Sequence, residues 1–69
     1  MDRFSTDDPR VTKLGWRFYV SADGKWLFEE KGEGWWIFPA GSDAWEDRVN
    51  KRGYDTLDAA IVATLGERP

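Results

Sequence analysis

Cysteine and histidine are both absent from the 69 residues. Their absence removes disulfide frameworks, thiolate nucleophiles, zinc sites of the usual ligand types and the side chain best matched to proton transfer at neutral pH. No stretch approaches the roughly 18 consecutive apolar residues of a membrane span. The opening Met1-Asp2-Arg3-Phe4-Ser5-Thr6-Asp7-Asp8 has neither a basic n-region nor an apolar h-region, so the expectation is a cytoplasmic protein without a secretion signal. A surplus of positive charge is missing too. Ten basic residues against thirteen acidic ones leave a net charge of −3, the wrong sign for a protein whose main affinity is for phosphate backbone.

What the chain has in plenty is aromatic surface: five Trp, four Phe and two Tyr. Each can bury about 150–250 Å², which lets one small domain close a core without disulfide or metal. Residues 1–12 are polar and aperiodic and read as a flexible arm, with Phe4 as an anchor. The domain proper then covers 13–69. From Leu14 to Val20 the run Leu-Gly-Trp-Arg-Phe-Tyr-Val reads as a first strand, and Ser21-Ala22-Asp23-Gly24-Lys25 as a turn with Gly24 in the left-handed region. A three-residue loop pairs Val20 with Trp26, Phe18 with Phe28 and Arg17 with Glu29. That register puts Trp16, Phe18, Val20, Trp26 and Phe28 on one face. A two-residue loop would set Phe18 opposite Glu29 and split the large apolar groups between faces, so the first register is preferred.

Glu30-Lys31-Gly32-Glu33-Gly34 reads as a second turn and Trp35-Trp36-Ile37-Phe38 as a third strand, stopped by Pro39 and Gly41. A loop from Lys31 to Gly34 pairs Phe28 with Ile37 and sends Trp36 and Phe38 to the outer face, beside Tyr19 and Leu27. Ser42 to Arg52 has acidic residues early and basic residues late, with Gly53 following, which fits a short surface helix anchored by Trp45; a loop is the alternative. Thr56 offers an N-cap, Leu57, Ala60, Ile61, Thr64 and Leu65 form one stripe, and Gly66 ends the last helix. The expected fold is α+β: a three-stranded antiparallel meander packed on a C-terminal helix, with a short extra helix before it.

Three segments carry a family resemblance: Gly24-Lys25-Trp26, Gly34-Trp35-Trp36-Ile37-Phe38, and Tyr54-Asp55-Thr56-Leu57-Asp58-Ala59-Ala60. Together they resemble the AP2-type DNA-binding domain and its relatives at the N-termini of tyrosine recombinases, over roughly residues 14 to 66. The resemblance implies a sheet that reads the DNA major groove, here through Arg17, Lys25 and Trp36. The chain departs from that family where Trp stands for the strand-three Arg, and Ser42 to Arg52 has no counterpart in it.

The acidic clusters Asp7-Asp8, Glu29-Glu30 with Glu33, and Glu46-Asp47 read as solvated surface, because adjacent strand residues point to opposite faces and cannot converge on one atom. No Ser has a His partner. No catalytic residue, metal site or cofactor is expected, and the chain reads as a non-enzyme. The surplus of Trp supports two readings. In one, the Ser42 to Arg52 segment closes the second sheet face, with Trp45 on Tyr19 or Trp36. In the other, Tyr19, Leu27, Trp36 and Phe38, with Arg17 and Trp45 at the rim, form a contact surface for a protein partner. A homodimer burying that face is a third reading. The preferred function is a protein-interaction module, of the kind supplied by phage or mobile-element accessory and inhibitor proteins, with AP2-like DNA binding as the alternative.

Overall fold

The computed structural model describes residues 3–42 and 44–67. Strands β1 (Val11–Gly15), β2 (Phe18–Ser21), β3 (Trp26–Lys31) and β4 (Gly34–Pro39) form an antiparallel sheet in the order β1-β2-β3-β4. A single 3-10 turn (Trp45–Asp47) and helix α1 (Leu57–Leu65) follow. The class is α+β as expected, but the sheet has four strands rather than three. The run expected as one strand is broken by a turn at Trp16-Arg17, where Arg17 adopts φ 54. β1 therefore starts inside the segment expected as an arm, with Val11 opposite Ser21 and Thr12 opposite Val20.

The β2–β3 register also corrects the sequence reading. Phe18 faces Glu29, Tyr19 faces Phe28 and Val20 faces Leu27. The cause lies in the turn. The Ser21 carbonyl accepts from Gly24 N–H at 2.9 Å, and Gly24 takes φ 75, as foreseen. The Ser21 hydroxyl oxygen then captures the amides of both Lys25 (3.1 Å) and Trp26 (2.9 Å). Lys25 is thereby held in the loop, and Ser21 lies opposite Trp26. The hydroxyl in turn donates to Asp23 at 2.6 Å, and Asp23 also accepts from Lys25 N–H at 2.9 Å. These two bonds, the hydroxyl's first, hold the Asp23 carboxyl below its usual value. One residue of slip carries each β2 side chain to the other face. The β3–β4 register is the expected one, with Phe28 opposite Ile37.

Helix α1 forms where its signals lie. The Thr56 hydroxyl accepts from Ala59 N–H at 3.0 Å, and Gly66 closes the helix at φ 86. Leu57, Ala60 and Ile61 are buried against Val11, Tyr19, Phe28, Trp35 and Ile37 to form the main core. Tyr19 meets Trp35 edge to face at 6.1 Å. Phe4 packs against this core as a partly buried anchor. The carbonyl of Arg3 accepts from Trp35 Nε1 at 2.6 Å and from Leu57 N–H at 3.3 Å.

The expected helix over 42–52 does not form; of it only the 3-10 turn is present. The segment after it is used otherwise. Val49 N–H donates to Ile37 O at 2.7 Å, Asn50 Oδ1 accepts from Ile37 N–H at 2.9 Å, and Trp35 and Tyr54 exchange backbone bonds of 2.8 and 3.0 Å. The outward-pointing backbone groups of β4 at Trp35 and Ile37 are thus all paired. Helical geometry would withdraw these groups, so sealing the sheet edge overrides the charge pattern. At the other edge, β1 carries exposed Lys13 and a register slip between Lys13 and Gly15, two devices that discourage a further strand from adding.

Candidate interaction surface

With α1 on one side of the sheet, the other side presents Thr12, Phe18, Val20, Leu27, Glu29, Lys31, Trp36 and Phe38, as the alternation along the paired strands requires. The segment after β4 lays Trp45 over part of it. The Trp45 ring stands edge-on to Trp36 at 4.6 Å and tilted on Phe38 at 6.5 Å. Arg48 stacks on Trp45 at 4.5 Å and donates to its carbonyl at 3.0 Å. Trp36 donates its Nε1–H to Lys31 O at 3.1 Å. The packing of Trp45 on Trp36 foreseen in the first reading is present, though the roof is an irregular segment and not a helix.

The residues expected at a partner surface separate. Leu27 and Trp36 lie on this outer face and are half-buried, and Trp45 above them is 43% exposed. Phe38 is on the same face but wholly buried beneath Trp45. Tyr19 is not there: the register slip turns it to the helix side, where it is 6% exposed. Arg17 sits at the β1–β2 corner, its guanidinium 3.8 Å from the Phe4 ring and 4.0 Å from Trp16, paired with Glu30 at 3.2 Å. Lys25 lies in the β2–β3 loop, beyond the opposite end of β2 from Arg17. The set Arg17, Lys25 and Trp36 therefore does not converge on one patch.

Three residues expected to face the core lie elsewhere. Phe18 and Val20 are half-buried on the outer face, and Trp16 is 78% exposed at the β1–β2 turn. The signal for Phe18 and Val20 was Ser21, whose side chain can stand in for a strand partner at a turn. The local signal for the turn at Trp16-Arg17 was Gly15, a glycine inside a run that otherwise reads as one strand.

The outer face is close to neutral: Glu29 and Lys31 contact each other at 3.5 Å. Among the described residues, no group of three or more carboxylates is placed to hold a metal ion, and no helix is long and apolar enough to cross a membrane. Comparison with family models, with curated proteins and with solved structures finds no match.

Proposed function

We propose that this chain is a non-enzymatic protein-interaction module that docks a partner on the outer sheet face, with Phe18, Val20, Leu27, Trp36 and Trp45 as the contact residues. The observation that carries the reading is the unequal cover of the two faces. Helix α1, with Phe4, buries Tyr19, Phe28, Trp35 and Ile37 on one and leaves Trp26 half-buried at its margin, while Trp45 roofs only the β4 side of the other and leaves three neighbouring apolar side chains, Phe18, Val20 and Leu27, in part solvent-exposed. Contiguous apolar surface rimmed by polar groups is the usual mark of a partner site, with Trp frequent among its strongest contributors. The paired and guarded sheet edges favour the face over strand addition as the mode of contact.

DNA reading by the sheet is less well supported. Of the sheet residues described on this face Lys31 is the one cation, and it is engaged with Glu29, while Arg48 above them is stacked on Trp45. With so few phosphate partners, little counterion release would be available. Titration with mixed-sequence duplex DNA at about 50 and 200 mM salt, followed by Trp fluorescence, separates the two readings. The module reading expects no saturable response at either salt. Saturable binding that weakens steeply at the higher salt would replace it with the AP2-like one.

A further inference from the structure

At the β1–β2 corner the outer face runs into an open hollow of about 450 Å³ bounded by Gly15, Trp16, Arg17, Phe18, Glu29 and Glu30. Trp16 is the most exposed of the large apolar side chains described, at 78%. Its ring is already stacked on one guanidinium, that of Arg17 at 4.0 Å, which Glu30 pairs with at 3.2 Å and Phe4 covers at 3.8 Å. This arrangement is bought with backbone strain, since Arg17 holds φ 54, where a long side chain is disfavoured. The strain and the stacking fix Trp16 in an exposed position instead of letting it fold onto the core.

We propose that the hollow is an arginine subsite: the open side of the Trp16 ring, with Phe18 and the Glu29 carboxylate, receives an arginine side chain of a protein partner. The inference rests on the module reading for the nature of the partner and adds its chemistry. Glu30 is committed to Arg17, so Glu29 is the carboxylate that can exchange. Its present companion is Lys31, an exposed ammonium at 3.5 Å, and such surface pairs contribute little. A guanidinium can engage both carboxylate oxygens while stacking on the indole, which an ammonium cannot. Once Lys31 is displaced from Glu29, the charges of Arg17, Glu29 and Glu30 leave one negative charge at the hollow, and the chain's net −3 adds to the attraction for a cation.

The test is titration of the whole chain with a capped Gly-Arg-Gly peptide, read by the NMR shifts of the Trp16 indole. A Gly-citrulline-Gly peptide, which keeps the shape and loses the charge, is the comparison. The arginine peptide is expected to bind saturably, at least about tenfold tighter than the citrulline one, and to lose at least about fivefold with Trp16→Ala and with Glu29→Gln. Trp16 is exposed and Glu29→Gln keeps the size and shape of a half-buried side chain, so both variants should keep the parent melting temperature. Equal binding of the two peptides, indifference to either substitution, or no saturation overturns the subsite. If that happens while a charge placed at Leu27 still abolishes partner retention, the module reading stands without it.

Discussion

Replacing Arg10 with alanine is expected to cost about 3 kcal/mol of unfolding free energy, the range for stripping the partner from a buried charge. The loss is out of proportion to a side chain near the end of the chain, and the reason is where its hydrogen bonds go. The guanidinium contacts both carboxylate oxygens of Asp8, at 3.1 and 3.0 Å. The same group donates to the carbonyls of Leu65, Gly66 and Glu67 at 3.1, 2.9 and 3.3 Å, where α1 ends and backbone acceptors have no helical partner. Arg10 thus ties the segment before β1 to the last turn of α1 while neutralising a carboxylate whose side chain is 2% exposed. Without it, the buried Asp8 carboxylate loses its guanidinium counter-charge, though it still accepts from the backbone N–H of residue 10 at 2.9 Å. Arg10→Lys should fall between, because a single ammonium keeps the charge and loses the planar fork. Urea unfolding measures both. Domains of this length are held by roughly 3–10 kcal/mol in total, so Arg10→Ala should bring the chain close to its limit. A loss under about 1 kcal/mol would show an ordinary surface pair instead.

Gly34→Ala is expected to cost about 2–3 kcal/mol, in the range of overpacking in a region that cannot relax. A Cβ there would lie 2.9 Å from Gly53 Cα and 3.4 Å from Gly53 C. Both obstacles are backbone, and a Cβ built on Gly53 would itself meet the Trp36 ring at 3.3 Å, so little room is left on either side. Relief requires the 49–54 segment to move off β4, which would break the Trp35–Tyr54 pairing and, with it, the seal on that edge. Gly15→Ala serves as the control. It also sits in a strand and has nothing within 4 Å of its would-be Cβ, so it should be neutral within about 1 kcal/mol. Thermal melting of the two variants side by side reads the difference. Equal melting points would mean that the close approach of Gly34 and Gly53 is not a constraint.

These two positions also show how far local sequence reaches. Helix α1 was legible because its signals are local: a hydroxyl at Thr56, a stripe of period 3.6 and a glycine at its end. The β3–β4 pairing was legible because Gly32 and Glu33, both at positive φ, close a tight turn between Lys31 and Gly34. The β2–β3 register was not, since it turns on one hydroxyl intercepting two amides. That single slip exchanged Tyr19 for Phe18 and Val20 at the candidate surface. Val11 and Thr12 gave too short a pattern to announce β1, and Arg17 occupies a turn position without being Gly or Asn. The 42–52 segment carried helical charge order, yet Val49, Asn50 and Tyr54 are drawn into bonds with β4. Contacts of that kind are tertiary, and no window of sequence contains them.

The central claim is that the outer sheet face is the contact surface. Its most direct test compares two substitutions of equal chemistry on opposite layers: Leu27→Glu on that face, and Val62→Glu at an exposed position of α1. Leu27 is preferred to Trp36 because the Trp36 ring also braces Gly53. With circular dichroism confirming that both variants are folded, protein partner retention from a cell extract by the immobilised chain is measured for each. The account predicts a loss of at least about 2 kcal/mol, roughly thirtyfold, for Leu27→Glu, the range of an interface hot spot, and parent-like retention for Val62→Glu. Undiminished retention by Leu27→Glu, or an equal loss in both variants, would contradict it.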